Sequence, residues 1–234
     1  MYLAMLFVVS LLSLGAQVAM DPSGRREGKI LIPEREMSLT VDLAKTPAGV
    51  WIGSLSIPPS TSIDVPLGTI SIEGTVVKFS AMLPGKATFE GKLSADGRSL
   101  SGTASNAQGT APFQLARTGD ASVKVPPPSS RLPEAFAGTW EGTVDVSGTV
   151  KKIGLKLSAA ADGTAVGVLI SSEPGAPEVP VTVVTITGAQ LQLESRVVAG
   201  AFTGALGDKG EIAGEWTQRG TRFPVTFKKV PPLR

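Results

Sequence analysis

The 234-residue chain has no histidine, no cysteine and a single tyrosine. Lack of histidine removes the usual general base of a Ser-His-Asp or Cys-His site, and lack of both removes the usual ligands of zinc, haem, copper and iron–sulfur centres. Neither an S-x-x-K nor a G-x-S-x-G stretch occurs, so a Ser-Lys dyad and a nucleophile elbow are also missing. These absences predict a chain that is not an enzyme, with no catalytic residue, no metal site and no cofactor, and they leave any ligand-binding residues unknown. An excess of one charge is lacking too. The 22 basic and 20 acidic residues are spread along the chain, and a net charge of +2 makes no electrostatic footprint for nucleic acid.

Charge is absent altogether from residues 1–20, MYLAMLFVVSLLSLGAQVAM. The apolar run from Leu3 to Leu14 has the length of a signal-peptide h-region and is followed by small residues up to Ala19. Residues 1–20 are expected to be a signal peptide, or a membrane anchor if uncleaved, and to be the chain's sole membrane contact. With no cysteine there is no lipid-modified terminus and no disulfide, which fits a bacterial periplasm or extracellular space better than a eukaryotic secretory route.

What is present is a repeat. Gly24-Arg25-Arg26-Glu27-Gly28 matches Gly138-Thr139-Trp140-Glu141-Gly142 at an offset of 138 − 24 = 114. The same offset relates Leu39, Val41 and Leu43 to Ile153, Leu155 and Leu157, Gly53 to Gly167, Val65-Pro66-Leu67 to Val179-Pro180-Val181, and Ile72-Glu73-Gly74 to Ile186-Thr187-Gly188. Small deletions then shift the register: Phe89-Glu90-Gly91 matches Phe202-Thr203-Gly204, and Gly102 and Pro112 match Gly214 and Pro224. Repeat 1 spans residues 22–118 and repeat 2 residues 134–230. Between them, residues 119–133 contain ASVKVPPPSSRLP, which predicts a stiff polyproline spacer without strand pairing.

Apolar residues alternate within each copy. Ile153, Leu155 and Leu157 face one way and Lys152 and Lys156 the other, the period of a strand half in the core. Turn signals at Ser147-Gly148, Asp162-Gly163, Thr187-Gly188, Asp208-Lys209-Gly210 and Arg219-Gly220 separate such runs. The expected fold class is all-β, as two tandem antiparallel meander barrels of seven or eight short strands each. Closure protects the sheet edges, although periodicity alone leaves a two-sheet sandwich open.

These residues, with the closing run Gly214-Glu215-Trp216-Thr217-Gln218-Arg219-Gly220-Thr221-Arg222-Phe223-Pro224, resemble the β-rich modules that precede α/β-hydrolase domains in some secreted bacterial esterases and peptidases. The G-x-W opening of repeat 2 also resembles that of lipocalins. The resemblance covers residues 22–230 and implies a non-catalytic module, the triad belonging to a hydrolase domain that this sequence does not contain. The tail, residues 231–234 after Val230, resembles the start of a proline-rich linker to such a domain.

The copies differ where Arg26 replaces Trp140 and Ala104 replaces Trp216. If the first strand closes against the last, the two positions are expected to lie together and the tryptophan pair to plug one end of barrel two, with Trp51 the candidate replacement in barrel one. The rings are expected to be core and not an exposed stacking platform. Glu141 and Glu215 beside them are expected to be solvated outward charges and not a glycosidase acid and base pair. Lysines 151, 152, 156, 228 and 229 are expected to form a solvated face. The leading functional expectation is an exported binding or accessory module whose partner is a hydrolase domain or another exported protein. The alternative is a stand-alone periplasmic carrier of a small hydrophobic ligand.

Overall fold

The structure of the protein, a computed structural model, describes residues 21–231 apart from 34, 147, 172 and 174. The expected signal segment therefore lies outside the described residues. Eight strands form barrel one: β1 (Gly24–Ile32), β2 (Arg35–Lys45), β3 (Trp51–Ser56), β4 (Val65–Glu73), β5 (Val76–Ala81), β6 (Thr88–Leu93), β7 (Ser99–Asn106) and β8 (Gly109–Gly119). Each pairs antiparallel with the next, and β8 returns to β1 with Leu115 opposite Gly28, so the sheet closes on itself. Nine strands form the second unit: β9 (Gly138–Val146), β10 (Thr149–Ala159), β11 (Ala165–Ser171), β12 (Val179–Pro180), β13 (Val183–Thr187), β14 (Gln190–Ser195), β15 (Gly200–Leu206), β16 (Glu211–Gln218) and β17 (Thr221–Lys229). Their order is β12-β11-β10-β9-β17-β16-β15-β14-β13, a curled sheet in which the strand that is continuous as β4 in barrel one is broken into β12 and β13. The protein is thus two tandem small antiparallel barrels.

The expected alternation is realised in both. Leu39, Val41 and Leu43 of β2 and Leu155 and Leu157 of β10 are buried, while Lys152 and Lys156 are exposed. The turn signals work through backbone conformation: at the β16–β17 turn Arg219 (φ 49°) and Gly220 (φ 78°) are both left-handed, the geometry of a type I′ hairpin, which suits glycine at the second position.

The two cores are filled differently. Barrel one uses Phe79, Phe89 and Phe113, with the first two stacked at 4.7 Å and Phe113 edge-on to Phe89 at 5.8 Å. Barrel two uses Phe202 edge-on to Phe227 at 5.4 Å, together with Trp140 and Trp216. Trp216 is admitted by Gly200, where a Cβ would collide with the indole ring. Barrel one has Ala104 and Ala87 in those two places, so a large-plus-none pair has been exchanged for small-plus-small.

Trp140 and Trp216 do not plug one barrel end together, contrary to expectation. Trp140 lies opposite Lys229, and Trp216 opposite Phe223, on the same strand β17. Six positions at 3.3 Å each put the rings at opposite ends, about 20 Å apart along the strand. Arg26 and Ala104 are separated in the same way, opposite Arg117 and Ala111 of β8. Neighbouring strands bring two residues together only where the register does, and here it holds them six positions apart.

Arg26 is buried with no exposed surface. It reproduces one contact of the ring it replaces. Trp140 Nε1 donates to the Phe136 carbonyl at 2.9 Å, and Arg26 Nη2 donates to the matching Pro22 carbonyl at 3.3 Å. Arg26 Nη1 adds a bond to the Gly97 carbonyl at 3.0 Å, while Nε has no partner among the described residues. Burial holds this guanidinium below its ordinary pKa, with Arg117 adding to the depression and Asp21 opposing it.

Residues 119–133 are not a free spacer. Ser130 N–H donates to Val184 C=O of β13, and Ala165 N–H of β11 donates to Ser130 C=O, both at 2.8 Å. Leu132 N–H bonds Gly163 C=O at 3.1 Å, Arg131 bridges Thr164, and Leu132 packs on the core. The segment thus fills the gap between β11 and β13 and closes barrel two. Unlike the prolines before them, Ser129 and Ser130 each carry an N–H and a hydroxyl, which suit an edge.

The barrels also meet directly. Arg196, in the β14–β15 turn, donates through Nη1 to the carbonyls of Asp64 (2.9 Å) and Lys124 (2.7 Å). Thr61 and Ser62 hydroxyls both donate to Val197 C=O at 3.0 Å, and Lys124 pairs with Asp64 at 2.9 Å.

Two outcomes are expected. Residues 127–230 should be more stable than residues 134–230 by on the order of 3–5 kcal/mol in urea denaturation, from lost hydrogen bonds at about 1 kcal/mol each and the exposure of Leu132's neighbours; equal midpoints would show that Ser129–Leu132 does not close the barrel. Arg26→Trp and Ala104→Trp should be additive to within about 0.5 kcal/mol, since the positions do not touch. A larger coupling in the double mutant would contradict the register.

Candidate functional site

The glutamates and lysines singled out from the sequence do not assemble into a site. Glu141 and Glu215 lie opposite Lys228 and Pro224 of the strand between them. At 3.3 Å per residue and about 4.8 Å per strand they are about 13 Å apart along the sheet and about 10 Å across it, wider than the roughly 5–9.5 Å of glycosidase carboxyl pairs. Glu141 is exposed and Glu215 pairs with Arg222 at 3.5 Å. Lys151 and Lys228 face Glu173 and Glu211 at 3.5 and 3.4 Å, exposed pairs of little energy. Lys229 instead lies 5.3 Å from the Trp140 ring centre. Among the described residues no group of acidic side chains gathers that could hold a metal ion.

Concave surface lies on the outside of the barrels. A groove of about 910 Å³ crosses the outer face of β4 to β7. Strand alternation supplies its lining: with Leu100 and Phe89 turned into the core, Ser101, Thr103, Thr88 and Glu90 must point outward. Ser71, Ser80 and Ser105 continue the hydroxyl surface, and Lys78 pairs across the strands with Glu90 at 3.1 Å. Lys92 has no carboxylate partner among the described residues. Hydroxyls, one cation and a neutralised pair give this groove donors and acceptors of hydrogen bonds, beside a lining that also includes Val76, Phe79 and Phe89.

The signal for this groove was in the sequence: Ser99, Ser101, Thr103 and Ser105 alternate with core positions. The corresponding row of barrel two reads Glu211, Ala213, Glu215 and Thr217, so the hydroxyl row belongs to barrel one alone.

A second concavity, about 480 Å³, lies where the barrels meet. Its walls include Asp64 (φ 53°), Ala199 (φ 47°) and Arg219 (φ 49°), three non-glycine residues held in the left-handed region. Such backbone costs of order 1 kcal/mol or more per residue and persists where the surroundings impose it. At Asp64 and Ala199 the joint imposes it, and at Arg219 the β16–β17 hairpin does. The carbonyl of Asp64 receives Arg196, and Ala199 lies two residues after Val197, whose carbonyl receives Thr61 and Ser62.

Both barrels carry apolar side chains inside and polar ones outside, the reverse of a lipid-embedded barrel with its outward apolar band. No described helix is long and apolar enough to cross a membrane.

No protein-family model matches the chain, and no curated protein matches it. Among solved structures, it is similar to a protein of unknown function of the DUF3598 family from Nostoc punctiforme PCC 73102, with 14% identity and a TM-score of 0.25 over 92% of this chain and 98% of that one. It is also similar to a protein from Bacteroides fragilis NCTC 9343 described as a "putative outer membrane protein", with 12% identity and a TM-score of 0.31 over 91% of this chain and 99% of that one.

Proposed function

We propose that the chain is an exported, non-catalytic binding or accessory module that meets its partner with its outer surfaces. The observation that carries this reading is the contrast between filled interiors and open exteriors. Phe79, Phe89 and Phe113 occupy the interior of barrel one, and Trp140, Phe202, Phe227 and Trp216 that of barrel two, whereas the concavities lie on the outer face of β4 to β7 and at the joint. An eight-stranded barrel has room for side chains or for one small ligand, and here side chains take the room. A carrier of a small hydrophobic molecule is the less favoured reading for that reason.

The chain offers no histidine or cysteine to pair with a nucleophile, which supports the non-catalytic part. The uncharged residues 1–20 support export to a bacterial periplasm or the extracellular space. The partner proposed is an exported protein, with a secreted α/β-hydrolase domain favoured by the resemblance of residues 22–230 to modules that precede such domains. Arg196 and the Thr61–Ser62 pair support a rigid mutual setting of the barrels, as a spacing device would need.

Residues 21–234 should show no esterase, peptidase or glycosidase turnover above buffer, and no saturable uptake of a medium-chain fatty acid by calorimetry. Turnover abolished by Glu141→Gln or Glu215→Gln would overturn the non-catalytic reading. Stoichiometric fatty-acid uptake blocked by Ala104→Trp would transfer the function to the barrel interior.

A further inference from the structure

The gap that Ser129–Leu132 fills in barrel two has a counterpart in barrel one, and no described residue fills it. The two gaps open in the same way. In barrel two β11 and β12 pair for two steps, Leu169 with Val179 and Val168 with Pro180. In barrel one β3 and β4 pair for the same two steps, Leu55 with Val65 and Ser54 with Pro66. Past this point β4 pairs with β5 only, and Trp51 and Ile52 pair with β2 only.

The backbone groups that hold the linker in barrel two are known. Ala165 N–H donates to Ser130 C=O, Val184 C=O accepts from Ser130 N–H, and Val184 and Ile186 N–H donate to the Ser129 and Ser130 hydroxyls, both at 3.0 Å. The repeat register carries Ala165, Val184 and Ile186 onto Trp51, Ile70 and Ile72. Strand partners match as well: Ile70 and Ile72 face Phe79 and Val77 as Val184 and Ile186 face Leu193 and Leu191, and Trp51 faces Lys45 as Ala165 faces Ala159. Backbone groups alternate direction along an antiparallel ladder, so this shared register turns the N–H of Trp51 and the N–H and C=O of Ile70 and Ile72 toward the gap. Among the described residues none bonds to them from that side. Ile70 is only half buried where its counterpart Val184, under the linker, is buried, while Ile72 and Ile186 are both half buried.

We propose that the gap between β3 and β4 of barrel one is a strand-acceptor site for an extended peptide of an exported partner. The peptide carries two adjacent hydroxyl residues followed, two positions on, by an apolar side chain, as Ser-Ser-Arg-Leu does in barrel two. Its backbone completes the edges, its hydroxyls take the N–H groups of Ile70 and Ile72, and its apolar residue covers them, so recognition is by strand addition. Ser129–Leu132 is itself committed to barrel two, where tethering gives it a high effective concentration. The site rests on the binding-module reading in naming its partner's chemistry. Its failure would leave that reading intact, since turnover and fatty-acid uptake test the latter separately.

The test is amide hydrogen exchange on residues 21–234, which carry every described strand, and on the full chain, with a synthetic peptide PPSSRLP as probe. Without peptide, Trp51, Ile70 and Ile72 of both chains should exchange at least about 100-fold faster than Ala165, Val184 and Ile186, the contrast between an open and a paired edge. Saturating peptide should slow those three amides at least about 10-fold and leave barrel two unchanged, and PPAARLP should be a weaker ligand. Equal protection without peptide, or no response to peptide, would overturn the proposal. Protection in the full chain that is lost in residues 21–234 would assign the gap to the chain's own N-terminal segment and overturn a partner's role.

Discussion

The second barrel depends on satisfying the backbone at one place, where the third strand of the repeat stops pairing with the fourth. A short antiparallel meander can close its first and last strands by hydrogen bonding β1 to β8, as barrel one does through Gly28 and Leu115. The residual edge lies elsewhere. In barrel two it is met by Ser130, which donates to one side of the gap and accepts from the other. An unpaired buried edge would cost about 1–3 kcal/mol per polar group, a large share of the stability of a domain this small. A linker that merely separated the domains would not suffice, so connection and closure have become one segment.

The same segment couples the barrels. It leaves barrel one beside Asp42, where Ser122 N–H bonds the carboxylate at 2.8 Å, passes the Asp64–Lys124 pair, and enters barrel two at Ser129. Arg196 then binds the carbonyls of Asp64 and Lys124 together. Both ends of the linker are therefore anchored on folded surface, and its prolines span the distance between anchors with little conformational entropy to lose. The left-handed backbone at Asp64 and Ala199 lies at this junction, where hydrogen bonds between the two barrels hold the chain in one geometry.

Much of this was legible in the residues. The alternation of Ile153, Leu155 and Leu157 with Lys152 and Lys156, and the Gly-centred turns, yield the strands directly, because burial on one face has a period of two and a tight turn needs left-handed residues. The repeat carries that reading from one barrel to the other. The position of each ring along its strand was not legible. Trp140 and Trp216 sit on strands that flank a common neighbour, and only register distinguishes one end of a barrel from the other. Closure by the linker was hidden by composition, since a proline run signals a spacer while two serines beside it give no periodic signal. Arg26 was equally opaque: a charged residue in a strand reads as outward, yet the Pro22 and Gly97 carbonyls hold it inside. The hydroxyl groove is written in the alternation of Ser99, Ser101, Thr103 and Ser105, a polar period of two that mirrors the apolar one.

Closure of barrel two by the interdomain segment is the central claim, and through-space proton contacts in solution test it most directly. The expected result is a pair of strong nuclear Overhauser effects from the Ser130 backbone, one to Val184 and one to Ala165, on opposite sides of the segment. Sequential contacts alone from Pro127 to Pro133, with neither cross-strand partner visible, would contradict it and return the segment to a free polyproline spacer.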